Sequence, residues 1–301
     1  MNRPPKVLCA LLTPWKDQSP NLAEIRRIVD FQIKQGLLGI FPISSVGEAG
    51  IMSFSQKCAV IEAVCAEAKE RVPVWSGIPS NNADESIQLA AFAKSQGATG
   101  LVLMPPAFYP CDEAAIISFV SKVAASTDLP ICLYNIPFMA DPINAETAAK
   151  LARLANVVGI KDSGGCSVNF MKMLSLCKAV DPEFRVMTGR EEFLYGSLML
   201  GGDGCMTATS GVMPEVMVKI NALFEAGQFY AAKKLQFAAM EAMMAMSSIR
   251  FPFGYRIAME ARGFDMGQSP LTHTESDSSY TTAKVQSLAI LINTLVELTV
   301  N

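Results

Sequence analysis

The sequence predicts a (β/α)8 barrel. Three observations point to it: eight short apolar runs, segments of helical period between them at a spacing of about thirty residues, and glycines that recur at the joints. The chain has 301 residues, half of them hydrophobic. That is enough for the roughly 250 residues such a barrel takes, with a remainder at the C-terminus.

In chain order the apolar runs are "KVLCALLTP" (6 to 14), "LGIFPIS" (38 to 44), "VPVWSGI" (72 to 78), "GLVLMPP" (100 to 106), "LPICLYN" (129 to 135), "VVGIKD" (157 to 162), "FRVMTG" (184 to 189) and "DGCMTA" (203 to 208). Near-continuous apolar runs of this length fit strands of a parallel sheet covered on both faces. Between them lie "NLAEIRRIVDFQIKQG", "SFSQKCAVIEAVCAEAKE", "ADESIQLAAFAKSQG" and "DEAAIISFVSKVAAS", with Asn, Ser or Asp near their starts as helix caps require. Three joints repeat G-x-x-G, at Gly36 to Gly39, Gly97 to Gly100 and Gly201 to Gly204. The first glycine of each suits the left-handed turn that ends a helix. The eighth helix should end near residue 226, dividing the chain into a barrel (1–226) and a helical extension of the same domain (227–301). A doubly wound open sheet is the competing fold, but no G-x-G-x-x-G follows the first run. Met240, Met243, Met244 and Met246 read as helix core.

Composition narrows the partners. A net charge of −3 offers no basic surface for nucleic acid or an anionic membrane, so a small molecule is the expected ligand. The N-terminal apolar stretch is too short for a membrane span and lacks a signal-peptide pattern, which points to a cytoplasmic protein. Eight scattered cysteines form no C-x-x-C pair and read as reduced thiols, with Cys166 a candidate for exposure. The single histidine, His273, falls in a polar, probable-loop stretch, so zinc constellations and His-assisted nucleophiles are disfavoured and no metal is expected.

In such barrels the residues that finish the strands face the active-site mouth. Lys161 ends the sixth run and Tyr134 the fifth. An amine partly withdrawn from water becomes a nucleophile toward carbonyls, and a phenol can both donate and accept a proton. From the residues alone, Lys161 could equally be a solvated strand terminus, and Ser44, Ser45, Gly47 and Glu48 a simple turn and cap.

"YNIP" followed by "VVGIKDSGG", with "SSVGEAG" after the second run and "GGDGCMTATSG" at the eighth, resembles the dihydrodipicolinate synthase and N-acetylneuraminate lyase family. The likeness extends to "ARGFDMGQSPLTHTE", nearly the whole chain. It implies a homotetrameric Schiff-base lyase or synthase acting on pyruvate or another 2-oxo acid together with an aldehyde, with no cofactor beyond the covalent imine. It also implies that Lys161 is the imine-forming nucleophile and Tyr134 the proton-transfer residue. Ser45, Gly47 and Glu48 match the substrate-carboxylate motif, and Gly189 and Met206 match positions lining the imine.

Three departures bear on the substrate. Val46 stands where the family usually has a second hydroxyl, and Phe108 where many members place a tyrosine that reaches a neighbouring subunit. Met139 replaces the arginine that receives the carboxylate of aspartate semialdehyde in the synthases. Arg190, in "TGREE", is a candidate replacement anchor, with Glu191 and Glu192 beside it able either to bind polyol hydroxyls or to favour a helix N-terminus. The leading expectation is therefore an aldolase or dehydratase of 2-keto-3-deoxy sugar acids. The alternatives are a dihydrodipicolinate synthase, a non-catalytic 2-oxo acid binding protein, and a phosphate-binding barrel enzyme using "SGG" and "GGDG".

Overall fold

The computed structural model describes residues 2–271 and 282–300; His273 lies outside them. Eight parallel strands form the sheet: β1 (Val7–Ala10), β2 (Ile40–Phe41), β3 (Trp75–Gly77), β4 (Gly100–Leu103), β5 (Ile131–Asn135), β6 (Val157–Asp162), β7 (Arg185–Thr188) and β8 (Cys205–Thr207). Their order is β2-β1-β8-β7-β6-β5-β4-β3. A parallel bridge between Ile40 and Val74 brings the two ends together, so the sheet is a (β/α)8 barrel.

The strands are shorter than the apolar runs, for local reasons. Pro42 cannot donate to the ladder and β2 stops at Phe41. The first run ends four residues early, and a two-stranded hairpin, Trp15–Lys16 with Ser19–Pro20, follows it. Asp17 and Gln18 turn that hairpin at φ 50° and 61°, a tight-turn conformation that two such residues do not announce.

The helices are α1 (Leu22–Lys34), α2 (Phe54–Ala68), α3 (Ala83–Ser95), α4 (Glu113–Ala125), α5 (Ala145–Leu151), α6 (Ser167–Val180), α7 (Leu194–Met199) and α8 (Pro214–Glu225). Asn21, Asn82, Asp112 and Asn144 cap their helices through side-chain oxygens, and Ser53 with Gln56 forms a reciprocal capping box. The G-x-x-G joints divide their work. Gly36, Gly97 and Gly201 take φ of 86°, 88° and 91°, while a Cβ on Gly100 would lie 2.5 Å from the Trp75 ring.

Three further helices, Phe229–Ser247, Phe253–Ala261 and Thr282–Val300, follow α8. The first packs on α8, and the other two pack on it and on each other. The methionine patch is split: Met243 and Met246 are buried, Met240 is half-buried, and Met244 is exposed. No helix among the described residues is long and apolar enough to cross a membrane.

Gly204 opens β8 at φ 129°, and a Cβ there would sit 1.8 Å from the Lys6 carbonyl oxygen. Gly204→Ala should therefore destabilise the fold by about 2 kcal/mol or more, read as a lower urea midpoint at unchanged slope.

Candidate active site

Lys161 and Tyr134 face each other across adjacent strands, paired in register. The pairing depends on an irregularity at the start of the ladder. Ile131 pairs with Val157 but Cys132 pairs with Gly159, so β6 carries one extra residue. Without it Tyr134 would stand beside Ile160, and Lys161 would fall on the opposite face. Gly159 fits there because a Cβ would come within 2.8 Å of the Arg185 carbonyl oxygen.

The Lys161 ammonium nitrogen lies 3.9 Å from the centre of the Tyr134 ring and 5.4 Å from that of Phe41. The lysine is only 3% exposed, which removes the solvated-terminus reading. Gly189 leaves room for it: a Cβ there would meet Lys161 Cε at 2.7 Å. One residue beyond the pair, the Asn135 amide donates to Asp162 Oδ1 at 2.7 Å and its oxygen accepts from the Ile143 N–H at 2.9 Å. Burial pushes the Asp162 carboxyl above its ordinary range, against hydrogen bonds from Gly164 and Asn135.

The loop after β2 brings the third group. Ile43 is left-handed at φ 58°, an uncommon conformation for a β-branched residue and a sign of local constraint. Ser44 Oγ donates to the Leu11 carbonyl and accepts from the Gly47 N–H, both at 3.0 Å. Gly47 is pressed so close to Leu11 that a Cβ would lie 2.5 Å from its carbonyl oxygen. Ser45 is left pointing at the site, where its hydroxyl shares a 2.9 Å hydrogen bond with the Tyr134 hydroxyl.

Glu48 lines the same cavity as this pair, with its carboxylate engaged by other partners. Its carboxylate accepts from Arg256 at 2.7 Å and from the Ser269 hydroxyl, and both members of the ion pair are buried. Arg256 also donates to the carbonyls of Thr13, Met266 and Gly267 at 2.9, 2.6 and 3.0 Å. This arginine joins the exit of β1, the loop after β2 and the C-terminal segment. Sequence reasoning missed it, although a charge inside the apolar run "FPFGYRIAME" is the signal of a buried pair.

Ser45 and Tyr134 open into a cavity of about 750 Å3. Its outer wall includes Met139, Phe251 and Leu271, with Arg250 alongside; a polar arm holds Lys57 and Glu85. The two arm residues are 3.3 Å apart. The remaining sequence candidates lie elsewhere. Val46 and Met206 are fully packed in the core. Phe108 is 85% exposed and stacks edge-on against Tyr109, while Ala107 lines the cavity. Arg190 is bonded to Glu192 at 3.1 Å beside Gly165 and Cys166, away from the cavity wall. All eight cysteines are free, and Cys166 is exposed. Among the described residues no cluster of His, Cys, Asp and Glu is placed to hold a metal.

Fold and site together define a barrel of the class I aldolase type. A profile of the Dihydrodipicolinate synthetase family matches residues 3–288, and the chain belongs to that family. It is 32% identical over 231 residues to a 4-hydroxy-tetrahydrodipicolinate synthase of Syntrophobacter fumaroxidans, covering 76% of this chain and 78% of that one. It is 30% identical over 240 residues to the probable 2-dehydro-3-deoxy-D-pentonate aldolase YjhH of Escherichia coli, covering 79% of each. Among solved structures, YagE of E. coli in complex with pyruvate superposes with a TM-score of 0.89 at 25% identity, covering 97% of this chain and 98% of that one.

Removing Arg256 would strand the Glu48 carboxylate in the interior. Arg256→Met should cost about 3–5 kcal/mol, measured by urea unfolding.

Proposed function

We propose that this protein cleaves or dehydrates a 2-keto-3-deoxy sugar acid through an imine on Lys161, releasing pyruvate and an aldehyde when it cleaves. The observation that carries the reading is the contact of the buried Lys161 nitrogen with Tyr134, whose hydroxyl is bonded to Ser45 at the cavity wall. The amine adds to the C2 carbonyl and water leaves. The protonated imine then takes the electrons of the C3–C4 bond as it breaks. Tyr134 takes the C4 hydroxyl proton as its own passes to Ser45 and the Ser45 proton passes on to solvent; a proton then returns along the same relay to C3 of the enamine, water hydrolyses the imine to free pyruvate, and the flow reverses in condensation. Gly47 and Ser45 are proposed to hold the substrate carboxylate, with Gly189 beside the imine. Glu48 acts by fixing the loop.

The choice of substrate rests on Met139. It lines the cavity where the synthases have an arginine, and a charge-assisted bond of about 1.5–3 kcal/mol to a second carboxylate is absent there. The likeness to the pentonate aldolase supports the same choice. A 4-hydroxy-tetrahydrodipicolinate synthase is the second reading, favoured by the likeness to the Syntrophobacter enzyme. Eight free thiols suit a reducing cytoplasm, the proposed location. A homotetramer is proposed as well. Exposed Phe108 and Tyr109 at the barrel rim, and exposed Val168 and Met171 on α6, are apolar surface that subunit contacts would cover.

Incubation with pyruvate and borohydride should leave one reduced pyruvyl adduct on the intact protein and none on a folded Lys161→Ala variant. Tyr134→Phe should still form the adduct while turnover of 2-keto-3-deoxy sugar acids falls about 10²–10⁴-fold. Aspartate semialdehyde turned over in preference to every sugar acid tested would favour the second reading. Light scattering should give about 130 kDa, four times the 32.4 kDa chain; a monomer would remove any cross-subunit role for Phe108.

A further inference from the structure

The helix Phe229–Ser247 buries one face through Leu235, Ala239, Ala242 and Met246. On its outer face Tyr230, Phe237 and Met244 are 82%, 64% and 60% exposed. Residues seven apart on a helix stand nearly above one another, so the three form a single apolar stripe about 21 Å long. Large apolar side chains gathered in this way are surface of the kind a docked partner covers.

Charges border the stripe. Lys233, Lys234 and Glu241 are exposed, and none of them forms an ion pair among the described residues. The Lys233 ammonium lies 5.9 Å from the centre of the Phe237 ring, which keeps it along the stripe. The pattern has a centre. Tyr230 and Met244 stand seven residues to either side of Phe237, and Lys233 and Glu241 stand four to either side.

We propose that this face docks the same face of a second copy of the chain, with the two helices antiparallel and Phe237 at the two-fold axis. In such a pair each residue meets the one equally far on the other side of the centre. Tyr230 of one copy then covers Met244 of the other, and Glu241 of one falls beside Lys233 and Lys234 of the other. The two-fold axis repeats both contacts, flanking the central Phe237 pair. Parallel helices in register would instead oppose like charges, which is unfavourable. The charge pattern is what selects a second copy: a basic partner would match only the Glu241 end, and an acidic one only the lysine end.

The size of the face sets the strength. One stripe on one helix offers much less than the roughly 800 Å2 per partner of a stable complex, so the contact is reversible and forms at high protein concentration. It uses none of the residues proposed above to join the tetramer, Phe108, Tyr109, Val168 and Met171. It therefore adds copies to that assembly rather than building it.

Sedimentation equilibrium of the full chain tests this. Between about 1 µM and about 500 µM the mass should be flat when dilute and then rise, with a dissociation constant on the order of 100 µM. Phe237→Glu, which sets like charges together at the axis, should keep the dilute mass and lose the rise. Glu241→Lys alone, or Lys233→Glu with Lys234→Glu, should each weaken the association about three- to tenfold. All three reversals together should restore it to within about twofold, because the opposite charges meet again. A mass constant at every concentration would mean that another partner covers the face, and would overturn the proposal. A rise that survives Phe237→Glu, or reversals whose effects add instead of cancelling, would do the same. The dilute mass reports the tetramer separately, so a dilute monomer would remove that reading and leave this test intact.

Discussion

The site depends on a single residue of slack in β6. Parallel strands hold paired residues on the same face, so the partner of Tyr134 is decided by register. The extra residue between the Ile131 and Cys132 pairings makes that partner Lys161. The rest of the mouth is arranged around this contact. Gly189 clears a path for the lysine chain, Asn135 and Asp162 clip the two strand ends one position further on, and the loop after β2 delivers Ser45 to the tyrosine hydroxyl.

That loop is held by closeness rather than by bulk. Gly47 and Gly77 lie where a Cβ would collide with the carbonyls of Leu11 and Ile43, so the backbone can fold tightly over the end of β1. The Ser44 hydroxyl ties two of its segments together. The Glu48 carboxylate is paired with Arg256. The Ser45 hydroxyl, though on a loop, is thereby held in place beside the Tyr134 hydroxyl.

Much of this was legible in the sequence, and the limits have physical causes. The run "VVGIKD" coincides with β6, and all six of its residues are buried, the closing Lys161 and Asp162 included. The helix-ending glycines read correctly because no other residue adopts that conformation freely. The order of Tyr134 and Lys161 put them within reach of each other on neighbouring strands, but the register that makes them partners was not visible, since it depends on a slip in a ladder that leaves no trace in composition. Arg190, a candidate anchor because it follows a strand, is paired with Glu192 two residues on and is not among the cavity-lining residues. Arg256 and Glu48 are 208 residues apart and meet only through the closed fold. The outer wall of the cavity, with Phe251 and Leu271, comes from a segment that sequence alone marked as a plain helical extension.

The arginine knot also has a temporal side. The ribosome releases β1, β2 and all six later strands before residue 256 exists, so a barrel can close around Lys161 and Tyr134 while the loop bearing Ser45 still lacks the donor that fixes Glu48. A nascent or C-terminally cleaved chain would then hold Lys161 beside Tyr134 with the Glu48 carboxylate still unpaired. Completion of the last helices, and not closure of the sheet, is what brings the arginine to Glu48.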